Sequence, residues 1–218
     1  MRRFVSGVLV FGILVGVSGH AATVDRKYTW DYGGRTWTLT HAFDLSAYSR
    51  YRSLPRLSAF TDYAEYVVNT DDDATIASLA AELLTLAHAA ALNEWEALHL
   101  IISFVQSFRY VPEETEYPRY PIETLIEGCG DCEDLAILTA DILRQLGFDV
   151  VLLAFTEEMH MAVGIRAYPP DGRTANAFDW NGDSYYYLET TAAGWTIGQM
   201  PAQFTSAPNI IALAPAGS

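Results

Sequence analysis

Positive charge is scarce in this sequence. Lys27 is the only lysine, and 13 basic residues face 27 acidic ones, giving a formal net charge of −14 over 218 residues. Such a surface repels a phosphate backbone, so nucleic-acid binding has no electrostatic footing. Cysteine is rarer still, with Cys129 and Cys132 alone. The histidines, His20, His41, His88, His99 and His160, include no pair three or four apart, so a zinc site lacks its ligands. No metal and no cofactor are called for. Internal repeats are absent. Half the residues are hydrophobic and 13% are aromatic, which excludes wholesale disorder and leaves enough apolar material for one domain with a sizeable core.

Long apolar runs are missing too, with one exception. A short basic start, "MRR", precedes the 16 uncharged residues "FVSGVLVFGILVGVSG" and then "HAA". That is the layout of a secretory signal peptide over residues 1–22, with cleavage near Ala21 or Ala22. An uncleaved N-terminal membrane anchor is the rival, for which the run is slightly short. No cysteine follows, so bacterial-type lipid attachment is excluded. Either way the expected location is secreted or extracytoplasmic, where thiols can be oxidised.

Three regions follow. Residues 23–70 read as a β-hairpin and a connector. "KYTWDYGGRTWTLTHAFDL" alternates about Gly33-Gly34, with Tyr28, Trp30 and Tyr32 on one phase, and "SAYSRYRSLPRL" is a connector broken by Pro55. Residues 71–214 read as the main domain. One helix opens on Asp71-Asp72-Asp73 and runs to about Ala91. A second runs from Asn93, an N-cap with Glu96 three residues on, to about Ser107. Gln106 lies on the edge of that helix's stripe of Leu98, Ile101, Ile102 and Val105, where an amide needs a partner. The proline-bearing segment from Tyr110 to Gly130 reads as extended and aperiodic, a long loop of the kind that usually has a job. A third helix is expected from about Asp131 to Leu146, with Leu135, Leu138, Ile142, Leu143 and Leu146 on its core face. Strands follow at "FDVVLLAF", "HMAVGIRAY" and "YYYLETT", with turns at "PPDGR" and "WNGD". The alanine- and proline-rich tail is expected to add little. Helices first and strands later make the fold α+β.

The chemistry centres on Cys132, at the first turn of the third helix. Free N–H groups there favour thiolate, while Glu133 and Asp134 oppose it. His160 is the one histidine downstream of the cysteine. It shares a strand face with Ala162 and Gly164, small residues that a helix end could approach. Glu189 is the candidate to orient the imidazole, with Asp179 and Asp183 as rivals beside a turn. Cysteine nucleophile, histidine base and carboxylate orienter would form a triad.

These residues resemble a family. "GDCEDLAILTADILRQLGFDV" is similar to the nucleophile segment of the transglutaminase-like superfamily, "HMAVGI" to its histidine strand, and "YYYLETT" to its carboxylate strand, usually Asp-Pro-Thr. "SFVQSFRY", "EYPRYPIETL" and "TIGQMP" resemble an archaeal and bacterial cysteine peptidase subset of that superfamily. The likeness spans residues 28–201, with Cys, His and acid in order at spacings of 28 and 29. It implies a transglutaminase-like (papain-like) fold, with a nucleophile at a helix N-terminus packed on an antiparallel sheet. It also implies acyl transfer or hydrolysis of an amide in a protein or peptide substrate through a thioester on Cys132, favouring peptidase over crosslinking. His160 would be base and acid, and Glu189, in place of aspartate, the third member. Gln106 and Tyr110 are candidates for a side-chain oxyanion donor.

Other readings remain. Cys129 and Cys132 could form a regulatory disulfide or a thiol–disulfide redox couple, although no strand precedes the motif as a βαβ context requires. A non-catalytic domain could keep this fold and bind a partner through the aromatics of the hairpin.

Overall fold

The computed structural model describes residues 22–57, 59–69, 71–167 and 175–214. The signal-like run and the "PPDGR" turn lie outside the described residues. Among the described residues no helix is long and apolar enough to cross a membrane.

The chain opens with the expected hairpin, β1 (Thr23–Tyr32) paired with β2 (Arg35–Asp44), Trp30 opposite Trp37. Gly33 and Gly34 both take positive φ, the backbone a two-residue connection needs. The hairpin lies against the helices. Tyr28 packs edge-on to Phe104 and stacked on Phe108, and its hydroxyl donates to the Leu125 carbonyl. Trp30 Nε1 donates to Ser103 Oγ. Trp30 and Trp37 are buried in the same core as the central helices, which removes them from any surface for a partner.

The connector departs from expectation. It contains helix α1 (Leu45–Ser53), started by Asp44, whose side chain accepts from the Ser46 N–H, and ended before Pro55. A single turn, α2 (Ala64–Val67), follows. Helices α3 (Asp73–Ala89) and α4 (Glu94–Gln106) match the reading, and the Asn93–Glu96 capping box is present. The proline-bearing loop is also not wholly extended. It carries α5 (Pro121–Glu127), with Pro121 in the first turn, Glu123 bonded back to the Tyr120 N–H, and Gly128 ending it at φ 68°. Proline in a first turn favours a helix, because its missing N–H would have had no partner.

Helix α6 (Cys132–Gln145) is the centre of the molecule. Every residue from Cys132 to Arg144 is buried, not only the leucine stripe. Helices cover one side and the sheet the other, so its polar groups must find internal partners. Arg144 donates to Asp73, Asp141 and the Val67 carbonyl. Asp134 accepts from Arg119 through the latter's backbone N–H, at 2.6 Å, and its guanidinium.

The sheet is antiparallel, in the order β7 (Ala177–Trp180), β8 (Asp183–Leu188), β6 (His160–Ile165), β5 (Val150–Phe155), β9 (Asn209–Ala212). The expected "WNGD" turn joins β7 to β8. The tail contributes more than expected, because β9 covers the free edge of β5. A minor two-residue pair, β3 (Arg109–Tyr110) with β4 (Cys129–Gly130), runs parallel beside the start of α6. The whole is α+β, with the cysteine helix packed on an antiparallel sheet, as the resemblance implies.

Candidate active site

Cys132 is the first residue of α6, with Asp131 as N-cap. Gly130 is required just before it. A Cβ there would stand 2.5 Å from Asp134 Cβ, so the strand turns into the helix only with hydrogen at that position. Burial pushes the Cys132 thiol above its ordinary range, and Glu133 pushes it further, its Oε2 lying 3.2 Å from Sγ. The backbone N–H of Met161 opposes both. The undecided balance at the helix start therefore falls towards neutral thiol. Asp134 takes little part, being turned inward onto Arg119.

His160 begins β6 and opens onto the same cleft as Cys132, a space of about 190 Å3. The expectation that α6 approaches the small-residue face of β6 does not hold. Met161, Val163 and Ile165 pack in the core cluster with the α6 leucines, whereas Ala162 faces Val151, Leu153, Tyr185 and Tyr187. Gly164 serves that second face, where a Cβ would lie 2.7 Å from Val151 Cγ2. The imidazole lines the cleft from the end of the strand, while the Cys132 thiol itself meets Glu133 Oε2. Phe204 packs on its ring, with centroids 4.9 Å apart. Glu158 holds the Phe204 loop by accepting from the N–H groups of Thr205 and Ser206.

Glu189 follows β8 and sets its Oε2 3.2 Å from His160 Nε2. Tyr187 donates to the same oxygen at 2.7 Å. Oε1 accepts from the N–H groups of Thr190 and Thr191 and from the Thr191 hydroxyl. Burial alone would raise this carboxyl, but His160, Tyr187 and the Thr191 N–H outweigh it and hold it at about 2. An ionised carboxylate can only accept, so Nε2 of His160 carries a hydrogen, and in the neutral imidazole the lone pair is then on Nδ1.

Gln106 lies beside this pair in an unexpected role. Its Nε2 donates to the Glu189 carbonyl at 2.8 Å and the Trp195 carbonyl at 3.1 Å. Both amide hydrogens are occupied, leaving none for an oxyanion. The buried amide flagged by the sequence does have a partner, and it is the main chain of the acid. Tyr110 is 46% exposed, and burial followed by the charges at Cys132, Asp131, Glu133 and Glu189 pushes it up to about 12. Its hydroxyl is therefore a neutral donor near the nucleophile. Cys129 is buried in the short strand before α6, and both thiols are free. Asp179 on β7 and Asp183 at the start of β8 sit at the far end of that hairpin from Glu189, bonded to Ser184 and Arg166 respectively.

Tyr187, Thr191, Phe204 and Gly130 were not singled out by sequence reasoning. Tyr187 had a usable signal, since two residues along a strand share a face and it stands two before Glu189. Phe204 had none, because its loop is aperiodic.

One further cluster lies behind the nucleophile. Glu113, Asp131 and Asp134 bring one carboxylate oxygen each within 4.8 Å of one another. Such oxygens suit a hard cation, and the Arg119 guanidinium already bridges Glu113 and Asp134.

No family model matches the chain, and no curated protein matches it. Solved structures do. Legionella pneumophila LapG in its EGTA-treated form is 18% identical, with a TM-score of 0.41, over 76% of this chain and 90% of that one. The calcium-bound form of LapG is 17% identical at 0.38, over 69% and 81%. A TGase is 13% identical at 0.41, over 82% of this chain and 47% of that one. Each of these likenesses lies below 20% identity and below a TM-score of 0.5, so each is a similarity of chain path and nothing more.

Proposed function

We propose that the chain is a cysteine-dependent acyl-transfer enzyme acting outside the cytoplasm on a protein or peptide, with Cys132, His160 and Glu189 as its triad and hydrolysis as its main outcome. The observation that carries this reading is the His160–Glu189 pair, whose histidine lines the cleft that also holds Cys132. In the first step Nδ1 of His160 takes the proton from Sγ. The sulfur attacks an amide carbonyl carbon, and the carbonyl oxygen becomes an oxyanion. Two donors stand near: the backbone N–H of Cys132, one of the helix-start N–H groups with no intrahelical acceptor, and the Tyr110 hydroxyl. Collapse breaks the C–N bond, and the leaving amine takes the proton from Nδ1, which leaves a thioester. Water then attacks the thioester carbonyl and Nδ1 takes its proton; the C–S bond breaks, product acid forms, and Nδ1 returns the proton to Sγ. An amine in place of water gives transfer.

The decisive experiment incubates wild type and Cys132→Ala with a panel of peptides, with and without an added amine. Cleavage lost in the variant supports the assignment, and amine incorporation lost in the variant decides for transfer. Equal activity in both proteins rejects Cys132 as nucleophile.

A second reading has one observation in its favour. The thiol is held neutral by burial and by Glu133, as suits a domain that keeps the fold but only binds. A wild type that cuts no peptide in the panel, while retaining its native fold, favours it.

A further inference from the structure

The cleft around Cys132 and His160 also contains Tyr63, Glu116, Glu133 and Met159. Glu133 meets the Cys132 thiol, whereas Tyr63, Glu116 and Met159 have no part in the proposed triad, and among the described residues no lysine or arginine lines the space. Tyr63 is buried, and its hydroxyl donates to the Glu116 carboxylate, fixing an exposed acid beside an aromatic ring. Met159 is the reverse case. It is 87% exposed and takes φ 49°, a left-handed backbone that costs a non-glycine residue about 1–3 kcal/mol. That conformation places a flexible apolar arm on the rim, one residue before His160. The wall thus combines an apolar arm, an aromatic ring and carboxylates.

We propose that this wall recognises a long, cation-tipped side chain, lysine or arginine, next to the bond that Cys132 attacks, with Glu116 as the specificity-determining residue. The stem lies along Met159 and Tyr63, and the charged end meets Glu116. A chain with net charge −14 also draws cationic peptides over longer distances. The proposal rests on the acyl-transfer reading for the scissile bond, but the recognition itself does not need turnover.

Two measurements separate them. In the first, Cys132 is modified by a cationic aminoethyl methanethiosulfonate or by its anionic sulfonatoethyl counterpart. The thiolate attacks the sulfenyl sulfur, a mixed disulfide forms and methanesulfinate leaves. Peptide mapping assigns the label to Cys132, not Cys129. The cation-to-anion rate ratio exceeds one in wild type and falls about fivefold in Glu116→Gln, the scale of one exposed ion pair. The same charge change at Glu114 measures the share due to net charge alone. A ratio that falls equally in both variants, or in neither, overturns the proposal. In the second, cleavage sites in a mixed peptide set are mapped. Sites beside lysine or arginine are enriched in wild type, and the enrichment is lost in Glu116→Gln. Cleavage without that enrichment overturns the subsite and leaves the triad standing. A Glu116-dependent labelling ratio with neither cleavage nor amine incorporation keeps the subsite and rejects acyl transfer.

Discussion

The side-chain amide of Gln106 donates to the main-chain carbonyl of Glu189 at 2.8 Å. The last residue of α4 is thereby tied to the carboxylate-bearing residue just past β8, 83 positions away. Gln106→Leu removes the donor to the buried Glu189 carbonyl and to the part-buried Trp195 carbonyl, and the expected loss of stability is about 1–3 kcal/mol. As a positioning change it should also lower kcat more than it raises KM, because Glu189 loses its register against His160. Peptide kinetics beside a denaturant titration check this. A stability loss with kcat intact would make the bond structural only.

Glu189→Gln should lower kcat by about 10²–10⁴-fold. The amide can present N–H where the carboxylate accepts, which inverts the imidazole tautomer. Glu189→Asp keeps the charge but draws it back from His160, and should recover part of the rate. Steady-state kinetics of the two variants test the role of charge, and equal losses would count against it.

Glu133 is the group that the Cys132 thiol meets at 3.2 Å. Removing its charge in Glu133→Gln should move the pH midpoint for alkylation of Cys132 downward, by about one unit or more. Iodoacetamide rates from pH 6 to 11, with the label mapped, give the answer. An unchanged or higher midpoint would show that burial alone sets the thiol.

Two buried acids make stability depend on pH. Burial pushes Asp72 up to about 7, and burial with Asp72 nearby pushes Asp141 up to about 8, even though Arg144 and Gln145 oppose it. Both lie above the unfolded value near 4, so the folded state holds extra protons between. Their contribution is therefore complete below about pH 4 and is lost as pH rises through 7 and 8, at about 1.4 kcal/mol per pH unit for each proton. Asp131, pushed up to about 9 by burial and neighbouring carboxylates, acts with the same sign. The thermal midpoint should fall from pH 5 to pH 9, and Asp141→Asn should flatten that fall. A variant with the wild-type slope would exclude Asp141 as a source.

Phe204→Ala should uncover the imidazole and admit water to the His160–Glu189 bond. Peptide kinetics across pH should then show a lower kcat and a displaced acid limb, with KM little changed. An identical profile would reduce Phe204 to packing.

What the sequence made legible was local. Asn93 and Glu96 announced α4, Gly33-Gly34 the hairpin, and the stripe of Leu135, Leu138, Ile142 and Leu143 the helix α6. The misses have physical reasons. Pro121 reads as a breaker, yet in a first turn it starts α5. Pro55 suggested a broken connector, although it stands just beyond the end of α1. Strand β9 is four residues long, too short to alternate visibly. The order Cys, His, acid could be read, but not which face of β6 meets the helix. The partners of Gln106 and Asp134 depend on distant segments, Glu189 and Trp195 for one and Arg119 for the other.

The loop that lays Phe204 on His160 continues directly into β9, which closes the edge of β5. One piece of chain therefore seals the sheet and covers the histidine. If it detaches as a unit, as edge elements with few anchors do, the opened molecule loses its imidazole cover at the same moment. Hydrogen exchange at Ile210 and Ile211 would then report, from the far side of the sheet, how often the site stands bare.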